Sequence, residues 1–235
     1  MSGYPYTTPA PMPRALMAAR ADERRRPGLA GPLWLAGLSL LALAVVWVVA
    51  ELVPATHLRD AVLLHRFVAL QETSVNGVAE VLPHLLNPPL FTIWGAVLVL
   101  VAIARQRPRV ALAVALVLAL APLSSEILKP LLAHPHVRIG YTHIGPPSFP
   151  SGHSTAAAIL ALSAVLVVPR RARFAVGALA AAFALAVGAA LLIRAWHMPS
   201  DVLGGYLIAL AWTALAVAGV RWSERRWPRR RPAQE

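Results

Sequence analysis

Long apolar runs separated by short polar, arginine-rich turns constrain this chain more than any other feature. They fall at 33–53, 87–104, 110–132, 151–168, 174–193 and 202–220, each close to the roughly 20 apolar residues that cross a bilayer. The runs predict an all-α integral membrane protein, a bundle of six transmembrane helices. The second run is the shortest, because Asn87-Pro88-Pro89 cuts into it unless the prolines occupy its first turn, where a missing N–H does no harm. Between the first two spans, residues 54–84 scatter Arg59, Asp60, Arg66, Glu72 and Glu80 among leucines and valines. That stretch is too polar to span and too apolar for disorder, and it predicts short helices lying at the membrane interface.

Composition agrees, with 58% hydrophobic and only 14% charged residues, far from the soluble average. Residues 1–32, rich in Pro, Thr, Ser, Ala and Arg without an apolar period, are expected to be a disordered cytoplasmic tail. Such a long polar leader makes the first run an uncleaved anchor rather than a signal peptide. Residues 33–222 form the six-span domain and 223–235 a basic cytoplasmic tail. The net charge of +12 comes from arginines clustered beside the apolar runs, which suits an anionic membrane surface and not nucleic acid, since no basic groove with interleaved aromatics is present. Seventeen of the 22 Lys and Arg residues lie in the two tails and in the turns with Arg105, Arg107, Arg109 and with Arg170, Arg171, Arg173. The other five are Arg59, Arg66, Lys129, Arg138 and Arg194, so positive charge alternates from turn to turn and places both termini in the cytoplasm. With cysteine absent, disulfides and thiolate metal sites are excluded.

Two polar strings open the fourth and sixth runs on the extracytoplasmic side: Phe149-Pro150-Ser151-Gly152-His153-Ser154 and His197-Met198-Pro199-Ser200-Asp201. Histidine at the mouth of a membrane helix is costly unless it does chemistry. At a helix start, backbone N–H groups bind anions, Gly152 permits close approach, and the Ser151 hydroxyl adds a donor. His153 at the rim of this nest could protonate a departing oxygen. A plain serine cap with an incidental histidine remains the alternative. His197 and Asp201, four residues apart, fit an imidazole whose tautomer a carboxylate fixes, or an interfacial histidine and an acid that favours the helix dipole. Lys129 ends the third run, where it could snorkel to the interface or pair with Glu126. His134, His136, His143, His153 and His197 on one face invite a metal, but the strings hold only one carboxylate and no pair on one helix turn, so no metal is expected.

Together with Lys129, these strings resemble the signature of the type 2 phosphatidic acid phosphatase superfamily, membrane enzymes that remove phosphate from lipid phosphates through a phosphohistidine. The resemblance covers about residues 124–205. It implies His197 as nucleophile, Asp201 as its orienting partner, His153 as proton donor, and Lys129 with Ser151 and Gly152 as phosphate-binding groups, without a cofactor. Two arginines depart from the family pattern. After Lys129 and six intervening residues the family has Arg-Pro, where this chain has His136-Val137, with Arg138 next; six and seven residues before His197 it has Arg and Ser, where this chain has Leu191 and Ala190, with Arg194 nearest. Arg138 and Arg194 are expected to reach the phosphate by another path, with His136, His134 or Lys129 carrying the charge otherwise. The expected function is a lipid phosphate or pyrophosphate phosphatase of a bacterial inner membrane, its substrate a phosphatidic-acid-like lipid or a polyprenyl pyrophosphate, its surroundings membrane lipids. The alternative is a catalytically silent relative that binds anionic lipid or a protein partner. A transporter ranks below both, because the polar residues cluster at one face.

Overall fold

The computed structural model describes residues 28–133, 144 and 148–228. Among them the chain forms helices and turns and no strand. In chain order the helices are α1 (Ala30–Trp47), α2 (Pro54–Val68), α3 (Val75–His84), α4 (Pro88–Ala104), α5 (Pro108–Leu131), α6 (Gly152–Val167), α7 (Arg173–Ile193) and α8 (Pro199–Arg226). A π-helical turn, Val48–Leu52, prolongs α1.

Proline sets many of the starts. It occupies the first turn of α2, α4, α5 and α8, where its fixed φ suits a helix and the missing N–H has no intrahelical use. At Asn87-Pro88-Pro89 both prolines are therefore helical. Asn87 itself stays extended, at ψ 147°, as a residue before proline does, so the chain bends by 69° between α3 and α4.

The all-helical expectation holds, and length and hydropathy alone mark four to five spans. Four helices are long and apolar enough to cross a membrane: α1 with its π turn, α5, α7 with the turn before it, and α8. The bent pair α3–α4 makes a fifth only if taken as one span. α6 has 16 residues, about 24 Å at 1.5 Å per residue, against a hydrocarbon core of about 30 Å. The segment before it, Ser148 to Ser151, is buried and non-helical. The helices expected within 54–84 are present as α2 and α3, with α3 packed on α7. α8 runs on to Arg226, into the stretch expected as a basic tail.

α6 sits in the middle, against α4, α5, α7 and α8, while α1 packs along α8. Its buried face is nearly all small or β-branched, with Ala156, Ala157, Ala158, Ile159 and Ala161, which lets neighbouring backbones come close. Large apolar side chains such as Leu33, Trp34, Leu38, Leu179 and Leu185 point outward, the reverse of a water-soluble bundle. The turns sort by end. Arg105, Arg107, Arg170, Arg173 and Arg221 surround one cavity, and both histidine strings lie at the opposite ends of the same helices.

Candidate active site

Ser151 caps α6, its Oγ accepting the Ser154 N–H at 3.3 Å. Gly152 and His153 follow as the first two helical residues, in the turn whose N–H groups a helix leaves without internal partners. Met198 holds the equivalent place before α8, and Asp201 in its first turn folds back on it. Asp201 Oδ2 accepts the Met198 N–H at 2.8 Å and lies 3.3 Å from His197 Nδ1. Asp201 is wholly buried, and its Oδ1 has no hydrogen-bond partner among the described residues. The pull of the carboxylate thus acts through Oδ2 on the imidazole, and an Nδ1–H donated there leaves Nε2 with its lone pair.

The two strings are bonded to each other. Ser151 N–H donates to the Asp201 carbonyl at 3.0 Å. Ser125 of α5 donates to the Pro150 carbonyl at 3.1 Å, and Thr155 Oγ1 to that of Ser151 at 2.9 Å. Two glycines on α8 make room for this. A Cβ on Gly205 would lie 2.6 Å from the Ser151 carbonyl oxygen, and one on Gly204 2.7 Å from the Phe149 ring. Sequence reasoning passed over this pair, although Gly204-Gly205 one turn after Asp201 was its visible signal.

Lys129 reaches the same place from α5. Its Nζ pairs with Glu126 Oε1 at 2.6 Å, and a Cβ on Gly152 would lie 2.5 Å from that oxygen and 3.5 Å from Nζ. The ion pair therefore rests on the start of α6. His153 stacks at a tilt on Trp196, ring centroids 5.8 Å apart, with His197, Lys129, Glu126 and His84 all within electrostatic reach. Seven of the expected residues, His153, His197, Asp201, Lys129, Ser151, Gly152 and Arg194, are described, and the first six converge. Arg194 ends α7 and directs Nη1 to Asn76 Oδ1 of α3, at 3.4 Å. Arg138 and His136, with His134 and His143, lie outside the described residues.

Three further residues belong to the surroundings. Trp196 stands between His153 and His84, whose ring meets it edge-on at 6.2 Å. Asp60 of α2 caps α8 from outside, its Oδ2 accepting from Ser200 Oγ at 2.6 Å and from Ser200 N at 3.3 Å. Burial pushes the Asp60 carboxyl above the usual carboxylate range; the Ser200 bonds oppose this, and the negative charges of Asp201 and Glu51 add to it.

The site is thus a histidine–aspartate pair bonded to a serine–glycine helix start, with a lysine beside it and outward-facing apolar helices around it. The PAP2 superfamily model matches residues 110–225, the stretch from α5 to α8. The stretch from α5 to α8, which carries both histidine strings, is thus similar to the PAP2 superfamily. Its fold is similar to the crystal structure of a transmembrane PAP2-type phosphatidylglycerolphosphate phosphatase from Bacillus subtilis, at 23% identity and a TM-score of 0.65, over 84% of this chain and 100% of that one. No curated protein matches the chain.

Proposed function

We propose that the chain hydrolyses a lipid phosphate or pyrophosphate at the extracytoplasmic face of a bacterial inner membrane, through a phosphohistidine on His197. The observation that carries this reading is the His197–Asp201 contact of 3.3 Å in a site bonded to the Ser151 cap. His197 Nε2 attacks phosphorus while Asp201 holds the Nδ1 proton. The bond from phosphorus to the lipid oxygen breaks, and His153 gives that oxygen its proton. Water then attacks the phosphohistidine, His153 takes the water proton, and cleavage of the P–N bond frees inorganic phosphate and His197. Lys129 and the N–H groups of the α6 start stabilise the oxygens as charge builds; no cofactor is invoked.

The orientation follows from charge. Arginines crowd the end opposite the site, which the positive-inside rule assigns to the cytoplasm with both termini. The bundle then has six spans, counting α6 as one held entirely by its neighbours and α3–α4 as the second. The candidate substrates are phosphatidic acid, polyprenyl pyrophosphate and phosphatidylglycerolphosphate, the last supported by the named activity of the B. subtilis protein.

Phosphate release from these three lipids by the purified full chain tests the proposal. His197→Ala and His153→Ala are each expected to lower turnover at least about a hundredfold with helicity and elution profile unchanged. Normal turnover in both variants would sink the mechanism, and a folded wild type inert toward the whole panel would leave the silent relative.

A further inference from the structure

At the end remote from the histidines, a cavity of about 530 Å³ opens between α5, the α6–α7 turn and α8. Arg105, Arg107, Arg170, Arg173 and Arg221 line it, against a single carboxylate, Glu224. Positive charge in flanking turns is enough to set topology. It does not require guanidinium groups from two turns and α8 to gather round one hollow; Arg107 and Arg221 donate to the Leu166 and Gly28 carbonyls, and Arg105, Arg170 and Arg173 line the rest of its basic wall. Arg173 Nε is buried and has no hydrogen-bond partner among the described residues. Such an array calls for a counter-anion, and the planar guanidinium suits phosphate oxygens.

A second hollow, about 440 Å³, adjoins the first and shares Ala113, Ala216 and Val220 with it. Its walls are largely apolar, with Leu112, Leu116, Leu215 and Trp222, and all four are exposed on the outside of the bundle. A basic hollow backed by an apolar groove between two membrane helices matches an amphiphile, charged at one end and hydrocarbon at the other. We propose that this is a binding site for an anionic phospholipid of the cytoplasmic leaflet, its phosphodiester among the arginines and an acyl chain along α5 and α8. The leaflet rests on the orientation proposed above; the pairing of basic and apolar hollows does not.

The test is lipid retention, which needs no phosphatase activity. Full-length protein in detergent is exposed to phosphatidylglycerol or phosphatidylcholine, and the bound lipid is counted by native mass spectrometry. One phosphatidylglycerol should be kept in preference to phosphatidylcholine. The variant Arg105→Gln/Arg170→Gln/Arg173→Gln should lose that preference by roughly a hundredfold in affinity. Arg170→Gln alone, at an exposed position that folding does not depend on, should lose about fivefold. His197→Ala should retain the lipid as the wild type does, so failure of this site and failure of the phosphatase reading give different results. Equal retention by wild type and both arginine variants overturns the site. Inorganic phosphate or glycerol phosphate displacing the lipid at equal concentration overturns the lipid assignment.

Discussion

At the histidine end of the bundle, Ser125, Ser151, Thr155 and Asp201 are completely buried; Ser125 and Asp201 bond across to the segment that starts α6, and Thr155 bonds back to its cap. At the arginine end, long side chains reach across to backbone carbonyls: Arg107 to Leu166, Arg221 to Gly28, each at 2.8 Å, and Arg109 to Trp227. Both arrangements satisfy polar groups, but with different tolerance. A guanidinium on a flexible stem can follow a carbonyl that shifts, whereas a carboxylate shared between a backbone N–H and an imidazole has one geometry. The first device fixes orientation and charge; the second fixes distances, which is what attack on phosphorus needs.

One helix carries both regimes and gives the sharpest test. On α8, a methyl group at Gly205 would meet the Ser151 carbonyl oxygen at 2.6 Å and the Thr155 nitrogen at 2.9 Å, both backbone atoms, while at Gly219 it meets nothing within 4 Å. Gly205→Ala should cost about 1–3 kcal/mol of stability from overpacking and lower turnover about a hundredfold, because the α6 start moves relative to His197. Gly219→Ala should leave turnover unchanged. Thermal melts and phosphate-release rates of the two variants, measured side by side, check the contrast; equal behaviour would break it.

Asp60 extends the rigid regime outward. Its two bonds from Ser200 fix the start of α8, on which His197 and Asp201 depend. Asp60→Ala should cost about 1 kcal/mol, as losing a helix cap does, and lower kcat about tenfold with little change in KM. Asp60→Asn, which keeps an acceptor oxygen, should recover most of the rate; failure to recover would show that charge matters there more than the cap. The pH dependence has a definite sign. Because burial raises the Asp60 carboxyl above its unfolded value, the folded state holds the proton more tightly, so this residue's contribution to stability falls as pH rises from the ordinary carboxylate range through the raised value. Asp60→Asn should remove that slope from the melting curves.

The histidine strings, Lys129 and the apolar runs were legible because each is local: a spacing along one segment, or a hydropathy average. What stayed hidden is long-range. Asp60 is 140 residues from Ser200 along the chain, and no local pattern marks it as a cap. The contact of Arg194 Nη1 with Asn76 on α3 likewise joins residues 118 apart in the chain. The fourth apolar run, 151–168, nearly coincides with α6, but hydropathy could not show that the residues just before it bond to Asp201 and Ser125.

The smallest expected effect concerns the turn that delivers His197. α7 ends with Trp196 N–H donating to the Leu191 carbonyl at 2.9 Å and Ala195 N–H to that of Leu192 at 3.0 Å, the paired closure that places one residue in the left-handed region. That residue is Ala195, at φ 53°, where a side chain costs about 1–2 kcal/mol. Glycine would relieve this strain and give back part of the gain through its freer unfolded chain. Ala195→Gly should therefore raise the melting temperature by about 2 °C with turnover unchanged, since the two backbone bonds, and not the Ala195 methyl, aim Trp196 and His197. A stabilised variant with lower turnover would place that methyl among the groups that hold His197 in position, carrying the rigid regime one residue further than the hydrogen bonds do.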